Sequence, residues 1–225
     1  MSFFRRNLID IAIFTLVQYF FTTLVLMYLY EGGNALNAQT ASYVFDLNYL
    51  SDLGRVVFYN GMDNPFWLFY SLSMLLIGVG VVFYFYLTGF LINHKLVRKL
   101  ILFLGILSGL GYAAIGFFPV DVSFANHIKA GMLAYYGFIL AQLLLTFFIN
   151  KDQYRVIFYL LVFLNILLLL RFVLYYLIKD MDISAISLLQ IKTIYQKILV
   201  YGQVFVVLGI LIRIKKRRIK LHSYS

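Results

Sequence analysis

Cysteine is missing from this chain of 225 residues. That absence excludes disulfides, thiolate metal sites and cysteine nucleophiles together. Charge is nearly as scarce, with 12% of residues Asp, Glu, Lys or Arg against 63% hydrophobic. A soluble domain of this length has too little interior to hide that much apolar side chain, because charged residues must cover its surface. Lipid removes the difficulty, since the outer wall of the protein can then be apolar. Other chemistry is excluded by what is thin or absent. The three histidines, His94, His127 and His222, fall on opposite sides of the membrane in the topology that the basic residues set, so they cannot form a three-histidine zinc site. No Gly-rich phosphate loop occurs, nor any internal repeat or low-complexity segment. A proton-coupled transporter normally places acids near the bilayer midplane, and none falls there.

What is present is apolar length. Six stretches reach the roughly 20 residues that a hydrocarbon core of about 30 Å requires: Leu8 to Tyr30, Phe66 to Ile92, Val97 to Phe118, Ile128 to Ile149, Val156 to Leu177 and Ile194 to Ile214. Strands of an outer-membrane barrel would be about half as long, with a two-residue period, and runs such as Ile166 to Leu170 have no such period. The first stretch follows Arg5 and Arg6 and is longer than a signal-peptide core, with no small-residue cleavage site, so it reads as a retained span. The predicted fold is therefore an all-α, polytopic six-helix membrane bundle forming one domain over 1–225. It carries a long external loop at 31–65 and a basic tail at 213–225.

Basic residues orient it. With the N-terminus inside, cytoplasmic segments hold Arg5, Arg6, Lys95, Arg98, Lys99, Lys151, Arg155, Arg213, Lys215, Lys216, Arg217, Arg218 and Lys220, which is 13 of the 19 Lys and Arg. Outside are Arg55, Lys129, Lys179, Lys192 and Lys197, and Arg171 lies within the fifth span. The positive-inside rule then predicts a multi-pass protein of the cell membrane with both termini cytoplasmic. The net charge of +10 is accounted for by this topology, without any aromatic-interleaved patch of the kind that binds nucleic acid. The tail reads as a topology anchor that also attracts anionic headgroups.

Several residues invite closer attention. Gly105, Gly109 and Ala113 share one face of the third span, a small-residue pattern that lets a neighbouring backbone approach. That face serves either packing within the bundle or dimerisation. Gln18, Gln142 and Asn165 are the deepest amides and read as interhelical hydrogen-bonding glue. The loop reads either as a segment with a short interfacial helix or as a cap over the outer mouth of the bundle. Arg171, in the outer half of its span, is expected to face inward to a carboxylate, Asp121 or Asp52, rather than to snorkel. With His127, these residues form a candidate external-face binding cluster of Asp52, Asp121, His127 and Arg171. Asp121 and His127 also suit ordinary turn residues, with Asp121 capping the fourth helix.

The segment Asn48-Tyr49-Leu50-Ser51-Asp52-Leu53-Gly54, followed by Asn64-Pro65 before an aromatic second span, resembles the prokaryotic six-span family of domain of unknown function 998. Gly116-Phe117-Phe118-Pro119-Val120-Asp121, with His127 six residues on, resembles that family's second signature. The layout is similar to the wider group that includes the damage-regulated autophagy modulators. The resemblance implies a six-helix bundle with an outer-face polar cluster and no stated reaction. The function expected is a non-enzymatic membrane protein, either a lipid-binding or regulatory factor or an accessory subunit of a membrane assembly. The alternative is an enzyme or carrier acting on an outer-leaflet lipid headgroup. Expected partners are membrane lipids and other membrane subunits, with no nucleic acid, cofactor or metal.

Overall fold

The computed structural model describes residues 3–178 and 183–222, apart from the side chains of 3–6, 171, 172, 175, 178 and 218–222. Six α-helices follow one another: α1 Phe3–Tyr28, α2 Trp67–Gly89, α3 Lys95–Phe117, α4 Phe124–Phe148, α5 Arg155–Ile178 and α6 Ala185–His222. A short 3-10 turn, Leu50–Gly54, sits in the long loop between α1 and α2. Among the described residues no strand forms, and pairing is limited to an isolated bridge between Val57 and Asp63. Five helices, all but α5, are long and apolar enough to cross a membrane, and α5 contributes the shorter described apolar stretch Arg155–Leu170. Their outer surfaces suit lipid: Phe21, Leu72, Leu110, Leu140, Ile166 and Phe205, one from each helix, are all well exposed. A water-facing surface would not present such a continuous set of large apolar side chains.

Local chemistry sets the helix ends. His94 accepts from the Val97 amide at the start of α3, and Pro119, which lacks an N–H and disfavours helix in its predecessor, stops α3 at Phe117. Asn64 accepts from the Phe66 amide just before α2. The helix α6, of 38 residues, begins at Ala185, nine residues before the predicted sixth span at Ile194. At 1.5 Å per residue it spans roughly 57 Å, nearly twice a hydrocarbon core, so it extends well past the other helices.

The bundle is unevenly packed. Helices α2, α3 and α4 form a tight slab in which α3 presents a small-residue face to each neighbour. A Cβ built on Gly109 would lie 2.6 Å from the Gly78 carbonyl oxygen and 2.6 Å from Val82, while one on Gly105 would meet Phe85 at 2.5 Å. Ala113 lies against Gly78 on the same face. Gly111 faces the other way, close to the backbone of Ala130 and Ala134 on α4, where the Ser108 hydroxyl donates to Ala134 O at 2.8 Å. The face carrying Gly105, Gly109 and Ala113 is thus occupied by α2 of the same chain.

Deep amides join the remaining helices. Gln18 of α1 accepts from Ser73 of α2 at 3.1 Å, Tyr84 donates to Gln142 across α2 and α4 at 3.0 Å, and Asn165 of α5 donates to Thr146 of α4 at 2.8 Å.

Replacing Gly109 by Leu forces the side chain into the Gly78 backbone as well as into Val82. We expect a loss of about 1–3 kcal/mol or more, read as a lower melting temperature in detergent. An unchanged melting temperature would mean that α2 and α3 do not approach this closely.

Candidate functional site

The loop at 31–65 is a cap, held to the helix ends by its own asparagines and by α6. Asn48 is fully buried. Its side chain accepts from the Val44 amide at 2.9 Å and donates to Gly33 O at 2.8 Å and to Asp52 at 3.3 Å. Asn64 donates to Leu53 O at 3.1 Å and to Arg55 O at 2.8 Å. A turn at Asn60-Gly61, where Gly61 takes a φ of 86° that glycine adopts without strain, brings the Phe58 amide to Met62 O at 2.8 Å. Gly54 lies so close to the Tyr70 ring that a Cβ would collide with it, which seats the 3-10 turn on α2.

The long α6 supplies the other anchor. Gln190 donates to Asp46 at 2.6 Å, Thr193 donates to Asp46 O, and Gln196 accepts from the Leu50 amide at 2.8 Å. Lys197 is 1% exposed; its ammonium donates to Asn48 O at 2.5 Å and to Thr193 O at 3.3 Å. It also lies 5.4 Å from the Tyr43 ring centre and 4.9 Å from that of Phe45, within cation–π range. Lys197, counted among the external basic residues, is thus a buried cation under the cap. Its signal in the sequence is a polar stripe, Gln190, Thr193 and Lys197, with Gln196 beside it, at three- and four-residue spacing.

Asp52, Asp121 and His127 all sit at this capped end, and no hydrogen bond joins them to one another among the described residues. Asp52 is 3% exposed and accepts from the Tyr49 amide at 2.8 Å, from Asn48 and from the Tyr59 hydroxyl at 3.2 Å. Burial raises its carboxyl above the ordinary value despite these donors. Burial, with the nearby Asp52 charge, pushes the Tyr59 phenol up to about 12. Asp121 does not cap α4. Its two oxygens accept from the backbone amides of Val56 at 3.1 Å and Val57 at 2.8 Å, clamping the cap onto the α3–α4 turn. Arg171 lies on α5, and its side chain is outside the described residues.

Of Asp52, Asp121 and His127, only His127 borders the cavity beneath the cap. Beneath the cap lies a space of about 380 Å³ between the α2–α3–α4 slab and α6, lined by residues including Tyr49, Ser51, Tyr70, Tyr84, Tyr112, His127, Tyr135, Phe138, Gln196 and Gln203. A second space of about 370 Å³ shares Tyr49, Tyr112, Gly131, Tyr135, Gln196 and Gln203 and continues toward α5. Ser51, His127 and Gln196 lie near the cap, Tyr112 and Gln203 at mid-height, and Tyr84, Phe138 and Val207 at the deep end. From Gln196 to Val207 is about 16 Å along α6, so the cavity is elongated along the helix axes. Tyr112 and Gln203 bridge it, each donating to the other at 3.2 and 3.0 Å. Ile128, Met132 and Tyr136 both line the cavity and are exposed, so it opens sideways along α4. His127 Nδ1 donates to Phe118 O at 2.7 Å; a carbonyl only accepts, so in the neutral imidazole the other ring nitrogen is the acceptor.

Replacing Asp121 by Ala leaves the Val56 and Val57 amides without their carboxylate. We expect a cost of about 1.5–3 kcal/mol, typical of hydrogen bonds to a charged group. It should register as faster hydrogen exchange at those two amides while exchange in α2 and α3 is retained. Unchanged exchange at both amides would show that Asp121 does not hold the cap.

No family model, no curated protein and no solved structure matches this chain.

Proposed function

We propose that the chain is a six-span membrane protein that holds an amphiphilic lipid in its capped cavity, as a lipid-binding or regulatory factor. The observation carrying this reading is the elongated cavity itself, mostly apolar in its lining, with Ser51, His127 and Gln196 beneath the cap, and exposed along α4. A volume of about 380 Å³ falls in the range of roughly 300–1,000 Å³ typical of small-molecule sites, which are mostly apolar with a few placed polar groups. A lipid would enter between α4 and α6, set its polar end near Ser51, His127 and Gln196, and run its chain toward Phe138 and Val207. The cap at 31–65 covers the polar end. The resemblance to the six-span family of domain of unknown function 998 accords with this layout.

The capped end faces outside in this proposal. The opposite end carries Lys95, Lys99, Lys151, Arg155, Arg213, Lys215, Lys216 and Arg217, which supports a cytoplasmic placement with both termini inside. A cysteine-free chain makes the test clean. Cysteine placed at exposed Ser42 is expected to label from outside intact cells, and cysteine at exposed Lys151 only after permeabilisation. The reverse pattern would invert the topology.

One observation favours a second reading, a reaction on the headgroup. His127, with one ring nitrogen held by Phe118 O, lines the cavity that Ser51 also lines, and a histidine at a cavity wall is the usual choice of general base. Asp52 and Asp121 do not add to it, because their oxygens are engaged with the cap.

Gly131 gives the decisive variant. It lines both spaces, and a Cβ there meets nothing within 4 Å. Gly131→Phe is expected to keep the melting temperature within a few degrees while co-purifying lipid falls several-fold, measured by mass spectrometry of protein extracted in lipid nanodiscs. Undiminished lipid with an intact fold would reject the cavity as the binding site.

A further inference from the structure

A second concave site lies at the basic end, where the start of α5 meets the last turns of α6. Its volume is about 280 Å³, and its lining carries four cations, Arg155, Arg213, Lys216 and Arg217, against one carboxylate, Asp152. Arg213, Lys216 and Arg217 stand three and four residues apart on α6, hence on one face. Lys215, on another face, is neutralised by Asp10 at 2.5 Å. Among the described residues none of the four pocket cations makes an ion pair. One of them is held in place: the Arg217 guanidinium lies over the Tyr154 ring, 4.8 Å from its centre, and donates to Gln153 O.

Like charges gathered around a hollow repel one another, and a fold tolerates that arrangement most easily when an anion occupies it. The α5 N-terminus at Arg155 adds the partial positive charge of a helix start. Guanidinium groups match the paired oxygens of a phosphate, which a lone ammonium does not. Val156 forms part of the lining and is itself exposed, so the pocket borders the apolar outer surface of α5 as well as water. A ligand bound there would have an anionic head and an apolar remainder.

We propose that this basic-end pocket binds the phosphate of an anionic phospholipid. Arg213 and Arg217 grip the phosphate oxygens, Lys216 and Arg155 add charge, and the acyl chains lie along α5. The site is separate from the capped cavity, so either can fail without the other.

The test uses the full chain in detergent, titrated with a phosphatidylglycerol, a phosphatidylcholine, glycerol phosphate or inorganic phosphate, with bound adducts counted by native mass spectrometry. Phosphatidylglycerol is expected to bind in preference to phosphatidylcholine. The double variant Arg213→Gln with Arg217→Gln should weaken it by about a hundredfold or more, since each guanidinium loses hydrogen bonds to a charged group. The control pair Lys95→Gln with Lys99→Gln removes the same charge from exposed positions at the same end and should change binding less than threefold. If the double variant fails to fold, Lys216→Gln alone is expected to give about a fivefold loss. Equal losses from the pocket and control pairs would reduce the effect to diffuse surface charge and overturn the proposal. Glycerol phosphate or inorganic phosphate binding as tightly as the lipid, with the same dependence on Arg213 and Arg217, would overturn the lipid assignment.

Discussion

Backbone contact between α2, α3 and α4 is the constraint on which the rest of the bundle depends. Apolar side chains gain nothing by leaving lipid for another helix, so membrane helices associate through close approach and interhelical hydrogen bonds. Gly78 and Gly109 provide the first between α2 and α3, and Gly111 does so between α3 and α4. Helix α6 packs instead on α1, α5 and the 3-10 turn of the loop. The space left over is the cavity, spanned at mid-height by the Tyr112–Gln203 pair.

That space needs a lid at one end, and the lid explains why polar and charged groups sit where they do. Irregular backbone near a membrane must satisfy its own N–H and C=O groups. Asn48 and Asn64 meet that demand from within the loop, and Asp121 and the α6 polar stripe meet it from outside. Burying Lys197 and Asp52 costs free energy that only a fully bonded arrangement offsets. Both are bonded: Lys197 to two carbonyls, Asp52 to three donors.

Long apolar helices are legible in the sequence, because span length is set by bilayer thickness and written directly as apolar run length. The glycine face of α3 is legible too, since four-residue spacing is visible without coordinates. Other features are not readable from composition alone. The residues 178–193 are mixed in polarity and read as a connection, yet from Ala185 they belong to α6, stabilised by tertiary bonds to a loop 144 and 146 positions away in sequence. Lys197 looks external because it is charged; its burial depends on Asn48, whose position no local rule supplies. Asp52, Asp121 and His127 are recognisable as special, but their roles diverge. The two aspartates hold the cap, and His127 borders the cavity.

Capping and lipid occupancy are tested together by a high-resolution structure of the chain in nanodiscs of native lipid. Elongated non-protein density is expected between α4 and α6, with its polar end near Ser51, His127 and Gln196 and with Asp121 on the Val56 and Val57 amides. A collapsed interior, with α6 packed directly on α3 and α4 and no room beneath the cap, would contradict it.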